Sequence, residues 1–314
     1  QPVRSYKIRG AYNLISQLDE AQRGAGVVCA SAGNHGQGVA FACARLGIRG
    51  RIFVPATTPR QKRERILALG EGRVDLAVVG DTYDEAAAAA RLEAGGTGAA
   101  IVPAFDDVRT IVGQGTVARE IVDQFGRAPD VLVAPVGGGG MIAGCLAYLG
   151  ERHPEVSVVG AEPAGAASMA AALAAGEPVD LDQLDTFVDG AAVRRIGDLT
   201  FEVARRYRPE LYPVPEGRIC SEMLALYQTE GIVTEPAGAL AAASLGLYRP
   251  EPGQDVVVIV SGGNNDVSRY AEILERSLVY EGRKHYFLVN FPQEPGALRR
   301  FLDEVLGPDD DITH

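Results

Sequence analysis

Tryptophan is absent from this 314-residue chain, and cysteine, histidine and methionine number only four, four and three. Cys29, Cys43, Cys145 and Cys220 lie far apart, without C-x-x-C spacing or the density of a disulfide framework, so they read as buried reduced thiols. His35, His153, His285 and His314 have no spacing that puts two imidazoles on one helix face, and no metal is expected. No apolar run approaches the ~20 residues of a membrane helix. Gln1-Pro2-Val3-Arg4 resembles no signal peptide, so the expectation is a cytoplasmic protein without membrane contacts. Positive charge is in deficit as well: Lys+Arg 30 against Asp+Glu 41 gives −11, which excludes nucleic-acid binding by bulk charge.

Glycine is in surplus, at 38 residues with no collagen-like period, and must serve turns and close backbone approaches. The chain is 46% hydrophobic and 23% charged, a globular composition, and long enough for two domains. From Ala25 onward, short β-branched runs alternate with amphipathic stretches, the pattern of βα units and a parallel sheet. Strands are expected at 27–30, 51–54, 74–79, 130–136, 157–161 and 255–260. Helices are expected at 36–46, 59–69, 108–125, 141–151, 164–175, 221–230, 236–248 and 267–278. Thr58 before Pro59 reads as an N-cap, and Thr82-Tyr83-Asp84-Glu85 as a capping box opening an alanine-rich helix. Residues 177–219 show no clear period. After Gly282 a strand at 285–291, a Pro-Gly loop and a helix at 297–306 look like the opening of a small βαβ unit that stops at His314 before it could close.

Three glycine-rich turns follow strands: Ser31-Ala32-Gly33-Asn34-His35-Gly36, Gly137 to Gly140, and Ser261-Gly262-Gly263-Asn264. In an open parallel sheet such turns lie at the carboxyl ends of the strands, where ligands bind. Four glycines ahead of a helix expose successive N–H groups beside its positive dipole end, which suits a phosphate dianion. Gly138-Gly139-Gly140-Met141-Ile142-Ala143 also fits G-x-G-x-x-A, and Glu162 ends the next strand 24 residues on, about where a dinucleotide-binding fold keeps its ribose acid, so nicotinamide binding is a live reading. Glu162 could equally be a cation ligand or a solvated strand end. Gly113-Gln114-Gly115-Thr116-Val117-Ala118 matches the same pattern inside a helix and is discounted.

Ser5-Tyr6-Lys7-Ile8-Arg9-Gly10-Ala11-Tyr12, the asparagine loop, the tetraglycine and the serine-glycine-glycine-asparagine turn resemble, in this order, the pyridoxal-phosphate enzymes of the tryptophan-synthase-β-like fold (fold type II). Within them the chain looks like the biosynthetic threonine dehydratases, or threonine ammonia-lyases. Phe291-Pro292-Gln293-Glu294-Pro295-Gly296-Ala297-Leu298 resembles the start of their ACT-like regulatory domain. The resemblance implies an α/β catalytic region over 1–280 with two open parallel-sheet domains (a small one near 10–110, the remainder large), and a truncated α+β regulatory domain from 284 to 314. It also implies that this is part of a longer enzyme, since the family has a segment before the lysine motif.

By the same resemblance Lys7 forms the Schiff base with pyridoxal 5'-phosphate and acts as the base at Cα. Asn34 meets the cofactor's ring hydroxyl. Ser31, Ala32, Gly33, Asn34 and His35 cradle the substrate carboxylate, and Gly137, Gly138, Gly139, Gly140 and Met141 hold the phosphate. Ser261 faces the pyridine nitrogen and leaves it largely unprotonated, which favours prompt loss of a β-leaving group over a long-lived carbanion. The implied reaction takes L-threonine, with L-serine secondary, to a 2-oxo acid and ammonia. The implied effectors are isoleucine or valine, and the implied assembly is a homotetramer. Ala32 stands where related racemases carry a serine that works the opposite face of Cα. Glu235, in Thr234-Glu235-Pro236-Ala237-Gly238-Ala239, matches a motif near the cofactor but carries no readable role. The competing readings are a nicotinamide oxidoreductase and a non-catalytic amino-acid sensor.

Overall fold

The computed structural model describes residues 2–290, 292, 294–307 and 310. In chain order its elements are α1 (Lys7–Ser16), α2 (Glu20–Ala25), β1 (Val27–Ala30), α3 (Asn34–Leu46), β2 (Gly50–Val54), α4 (Arg60–Gly70), β3 (Val74–Val78), α5 (Tyr83–Thr97), β4 (Ala100–Ile101) and α6 (Val108–Phe125). There follow β5 (Val131–Pro135), α7 (Gly140–Arg152), β6 (Ser157–Pro163), α8 (Ser168–Ala175), α9 (Asp198–Tyr207), β7 (Glu210–Val214), α10 (Glu216–Glu230), α11 (Pro236–Ala243), β8 (Val256–Val258), α12 (Tyr270–Tyr280) and α13 (Ala297–Glu304).

The strands form two four-stranded sheets, β3-β2-β1-β4 and β7-β6-β5-β8, parallel throughout. All five residues of β5 are buried, as a strand covered by helices on both faces requires. Around the first sheet, α1, α3 and α4 cover one face through Leu14, Val39 and Ile66, and α5 covers the other through Ala86 and Ala90. In the second sheet, Leu132 and Ala134 pack with Met141, Leu149, Met169 and Phe201, while Val131 and Val133 pack with Ala241.

Both strand orders reverse direction at one point, between β1 and β4 in the first sheet and between β5 and β8 in the second. Crevices open at such switch points, because the connections on either side of them run to opposite faces of the sheet. The Ser31 to Gly36 loop follows β1, the tetraglycine follows β5, and Ser261 to Asn264 follows β8. All three glycine turns therefore lie at switch points.

Most expected elements form, with differences that have local causes. Thr58 does not cap α4: Pro59 sits outside the helix with ψ 142°, the helix begins at Arg60, and the buried Thr58 hydroxyl has no partner. The stretch at 164–175 divides into a 3-10 turn at Ala164–Ala166 and α8, and residues 244–246 tighten into another 3-10 turn after α11. Within 177–219 lie α9 and β7. The start of α9 is capped from a distance, since Asp106 accepts from the N–H groups of Asp198 and Leu199 at 3.1 and 2.9 Å. In β7, Pro213 is tolerated because the strand is at an edge. Residues 284–290 do not form the expected strand: Phe287 and Leu288 stand exposed and no described segment pairs with them. Phe291, Gln293 and His314 lie outside the described residues.

Candidate active site

At the first sheet's switch point, β1 ends at Ala30 and the Ser31 backbone N–H donates to the Phe53 carbonyl at 3.1 Å. A Cβ at Gly36 would collide with the Ser31 carbonyl oxygen, so glycine there lets α3 start directly against the loop. The N–H groups of Asn34, His35 and Gly36 belong to the first turn of α3 and find no acceptor within it, an arrangement suited to a carboxylate. The His35 ring does not face this cradle. It is buried, its Nε2 donates to the Val102 carbonyl at 2.7 Å, and burial lowers its pKa to about 4, so the ring is neutral near pH 7. Ala32 packs against the first sheet's core, and its methyl side chain carries no exchangeable proton.

The tetraglycine is shaped by its neighbours as well as by its ligand-facing side. Gly139 has φ +88°, a conformation that favours glycine. A Cβ at Gly137 would lie 2.8 Å from Ala191 Cα, one at Gly138 would overlap the Phe105 ring, and one at Gly139 would lie 2.8 Å from Thr200 Cβ. Thr200 Oγ1 lies 2.8 Å from the Gly138 carbonyl and 3.0 Å from the Gly197 carbonyl, either of which can accept its one proton. The first-turn N–H groups of α7 are left without intrahelical acceptors beside the positive dipole end. Phe105 belongs to the loop after β4, so the two switch points touch through this ring.

Lys7 opens α1, half-buried. The segment before it is zipped onto the turn after β8: Ser5 pairs antiparallel with Gly262, Tyr6 N–H donates to the Ser261 carbonyl at 3.2 Å, and Gly263 N–H donates to the Arg4 carbonyl at 2.9 Å. A Cβ at Gly38 would lie 3.1 Å from Ile8 Cα, so glycine lets α1 press onto α3. Lys7 faces Glu235 and His35 electrostatically. The two other lysines of the sequence are engaged elsewhere, Lys62 with Asp189 at 3.3 Å and Lys284 with Glu275 at 2.7 Å.

Asn34 completes the bridge between the sheets. Its Nδ2 donates to Glu235 Oε1 at 2.6 Å, and its Oδ1 accepts from Asn264 Nδ2 at 2.7 Å. Glu235 is 6% exposed, and burial raises its pKa to about 7 against the lowering pull of Asn34. The sequence reading left Glu235 outside the site. Its signal was a single carboxylate amid the apolar run Pro236 to Leu240, which can be buried only if something holds it. Ser261 is also buried, and its hydroxyl donates to the Ala237 carbonyl at 3.1 Å.

Glu162 is a helix cap. It is 0% exposed, and its two oxygens accept from Met169 N–H at 2.7 Å and Ala170 N–H at 2.9 Å, which caps α8. It is therefore neither solvated nor available as a ribose acid, and the nicotinamide reading loses its second element. Among the described residues no group of three acidic, histidine or cysteine side chains could hold a metal. The discounted Gly113-Gln114-Gly115 serves helix packing: a Cβ at Gly113 would lie 2.6 Å from the Arg9 carbonyl oxygen on α1, and one at Gly115 2.7 Å from the Gly144 carbonyl oxygen on α7.

An amine at Lys7, an amide at Asn34, a hydroxyl at Ser261 and an N–H cradle for a dianion are the donor set of a site for a phosphorylated aldehyde cofactor, and these residues fit pyridoxal phosphate. The family described as pyridoxal-phosphate dependent enzymes matches residues 1–262, and the C-terminal regulatory domain of threonine dehydratase matches residues 275–314. Biosynthetic L-threonine dehydratase of Mycobacterium tuberculosis is 62% identical over 315 residues, covering 100% of this chain and 73% of the relative. Among solved structures, the processed form of threonine deaminase isoform 2 from Solanum lycopersicum superposes with TM-score 0.83 at 38% identity, covering 88% of this chain and 80% of that one. Maize serine racemase superposes at 0.79 with 30% identity, covering 89% and 85%. The chain belongs to the pyridoxal-phosphate-dependent enzymes and, within them, to the threonine dehydratase family. It is thus a lyase with that cofactor, which sets aside the oxidoreductase and the non-catalytic sensor.

Proposed function

We propose that this enzyme deaminates L-threonine to 2-oxobutanoate and ammonia, with L-serine as a secondary substrate, as the entry to isoleucine synthesis. The observation that carries the reading is the zipping of the Lys7 segment onto the Ser261 to Asn264 turn, within reach of the Asn34 loop. Lys7 would hold the cofactor through Nζ, Gly137 to Met141 its phosphate, Asn34 its ring hydroxyl and Ser261 its pyridine nitrogen. When bound, the cofactor supplies an electron sink that weakens the Cα–H bond of the amino acid. Once the substrate amine has displaced it from the cofactor, the free Lys7 Nζ would take the Cα proton, and the first-turn N–H groups of α3 would hold the substrate carboxylate. Ser261 Oγ, which donates to the Ala237 carbonyl, would turn its proton to the ring nitrogen, and a neutral hydroxyl there would keep the sink shallow. The β-hydroxyl would leave as water, balanced by the proton taken from Cα, and water would hydrolyse the released enamine to the 2-oxo acid and ammonia.

The two sheets with their helices form the small and large catalytic domains in this reading, with the regulatory domain beginning near 284. Isoleucine and valine are the proposed effectors, a homotetramer in the cytoplasm the proposed assembly. The test is release of 2-oxobutanoate and ammonia from threonine, and of pyruvate from serine, with and without isoleucine. The reading expects a yellow protein that prefers threonine and responds to isoleucine. Absence of 2-oxo acid from either substrate would overturn it.

A further inference from the structure

We propose that Glu235 and Asn264 form a clamp that fixes the orientation of the Asn34 side-chain amide, which makes Glu235 a positioning residue for the cofactor. The inference rests on the reading of Asn34 and Lys7 given above. The polarity of the clamp is set from one end. Asn264 Nδ2 donates to the Val3 carbonyl at 2.7 Å, and a backbone carbonyl can only accept. The other proton of the same nitrogen goes to Asn34 Oδ1 at 2.7 Å, so the oxygen end of Asn34 must face Asn264. Its nitrogen end then faces Glu235 at 2.6 Å, leaving the second N–H of that amide for the cofactor ring oxygen.

Each anchor of the clamp is itself built in. Glu235 N–H donates to the Gly262 carbonyl at 3.1 Å, and a Cβ at Gly262 would collide with Glu235 Oε1. Val3 lies on the segment that leads into Lys7, so one chain of hydrogen bonds ties the lysine segment, the turn after β8, the asparagine loop and α11 together. The groups facing Glu235 are Lys7 on α1, Lys62 on α4, Asp189 on the loop before α9 and Asn34 on α3. Asp189 opposes ionisation and the two lysines favour it. Burial outweighs them and places the titration near neutrality.

The test compares Glu235→Leu, Glu235→Gln and Asn264→Ala with the parent, each as the full chain. Apoenzyme titrated with pyridoxal phosphate reads cofactor affinity without any turnover. Leucine removes the acceptor, and affinity is expected to fall about tenfold, the effect of one lost hydrogen bond to a buried partner. Glutamine still accepts through Oε1 and is expected to restore affinity to within about twofold. Its pH profile for threonine turnover should lose an inflection near 7 that the parent shows, because the amide does not titrate. Asn264→Ala should resemble the leucine variant and keep that inflection. Parent-like affinity in both Glu235→Leu and Asn264→Ala, or a parent-like pH profile in Glu235→Gln, would overturn the clamp. Borohydride labelling of Lys7 in each holoenzyme separates failure of the clamp from failure of the cofactor reading.

Discussion

At the residue scale, the site is built as much by side chains that are missing as by those present. Gly139 has φ +88° and lies under Thr200 and Met169, so Gly139→Asp combines backbone strain, overlap and a negative charge beside the phosphate cradle. Cofactor affinity should fall by at least about a hundredfold, measured by fluorescence titration; unchanged affinity would mean that the loop does not hold the phosphate. Ala32 makes the opposite kind of statement. Its methyl group packs on the first sheet's core and cannot move a proton, so in the proposed reading Ala32 supplies no base to the face of Cα opposite Lys7. Chiral chromatography after long incubation with L-serine should find pyruvate and no D-serine. Ala32→Ser is the single change expected to bring D-serine into view. D-serine from the parent would reveal a second base.

At the scale of elements, α1, α6 and α7 approach one another through paired glycines. A Cβ at Gly144 would lie 2.8 Å from Gly115 Cα and collide with the Ile111 carbonyl oxygen. Gly144→Val should therefore force the helices apart and destabilise the chain by about 1–3 kcal/mol, visible as a lower denaturant midpoint at similar slope. A midpoint equal to the parent's would show that the seam can open freely. The same seam explains why the Gly113 pattern could be set aside from sequence: it lies in a periodic apolar helix with no strand before it. The strand and helix pattern around the glycine turns was legible because parallel strands buried on both faces are short apolar runs. Helix α9 was not, since its cap comes from Asp106 on a distant loop. Nor was the irregular course of 284–290, where a strong strand composition meets no pairing partner among the described residues.

For the whole molecule, two buried carboxyls link stability to pH. Burial raises both Glu162 and Glu235 from 4.5 to about 7. Between those values the folded chain keeps protons that the unfolded chain has released, so their contribution is complete below about 4.5 and is lost as pH rises through 7. Glu235→Gln should flatten the fall in unfolding free energy across that window by an amount on the order of a few kcal/mol. An unchanged slope would mean that Glu235 is already ionised. The sequence showed Lys7, the asparagine loop and the glycine turns through their order, but the Glu235 link between them is a contact across the two sheets and has no local pattern. The account as a whole stands on Lys7 as the residue that carries the cofactor. Reducing the holoenzyme with borohydride and mapping the labelled peptides tests this most directly, because the chain offers only Lys7, Lys62 and Lys284 as amine side chains. The expected result is label on Lys7 alone and loss of threonine turnover in Lys7→Ala. Label on Lys62 or Lys284, or threonine turnover at the parent's rate in Lys7→Ala, would contradict it.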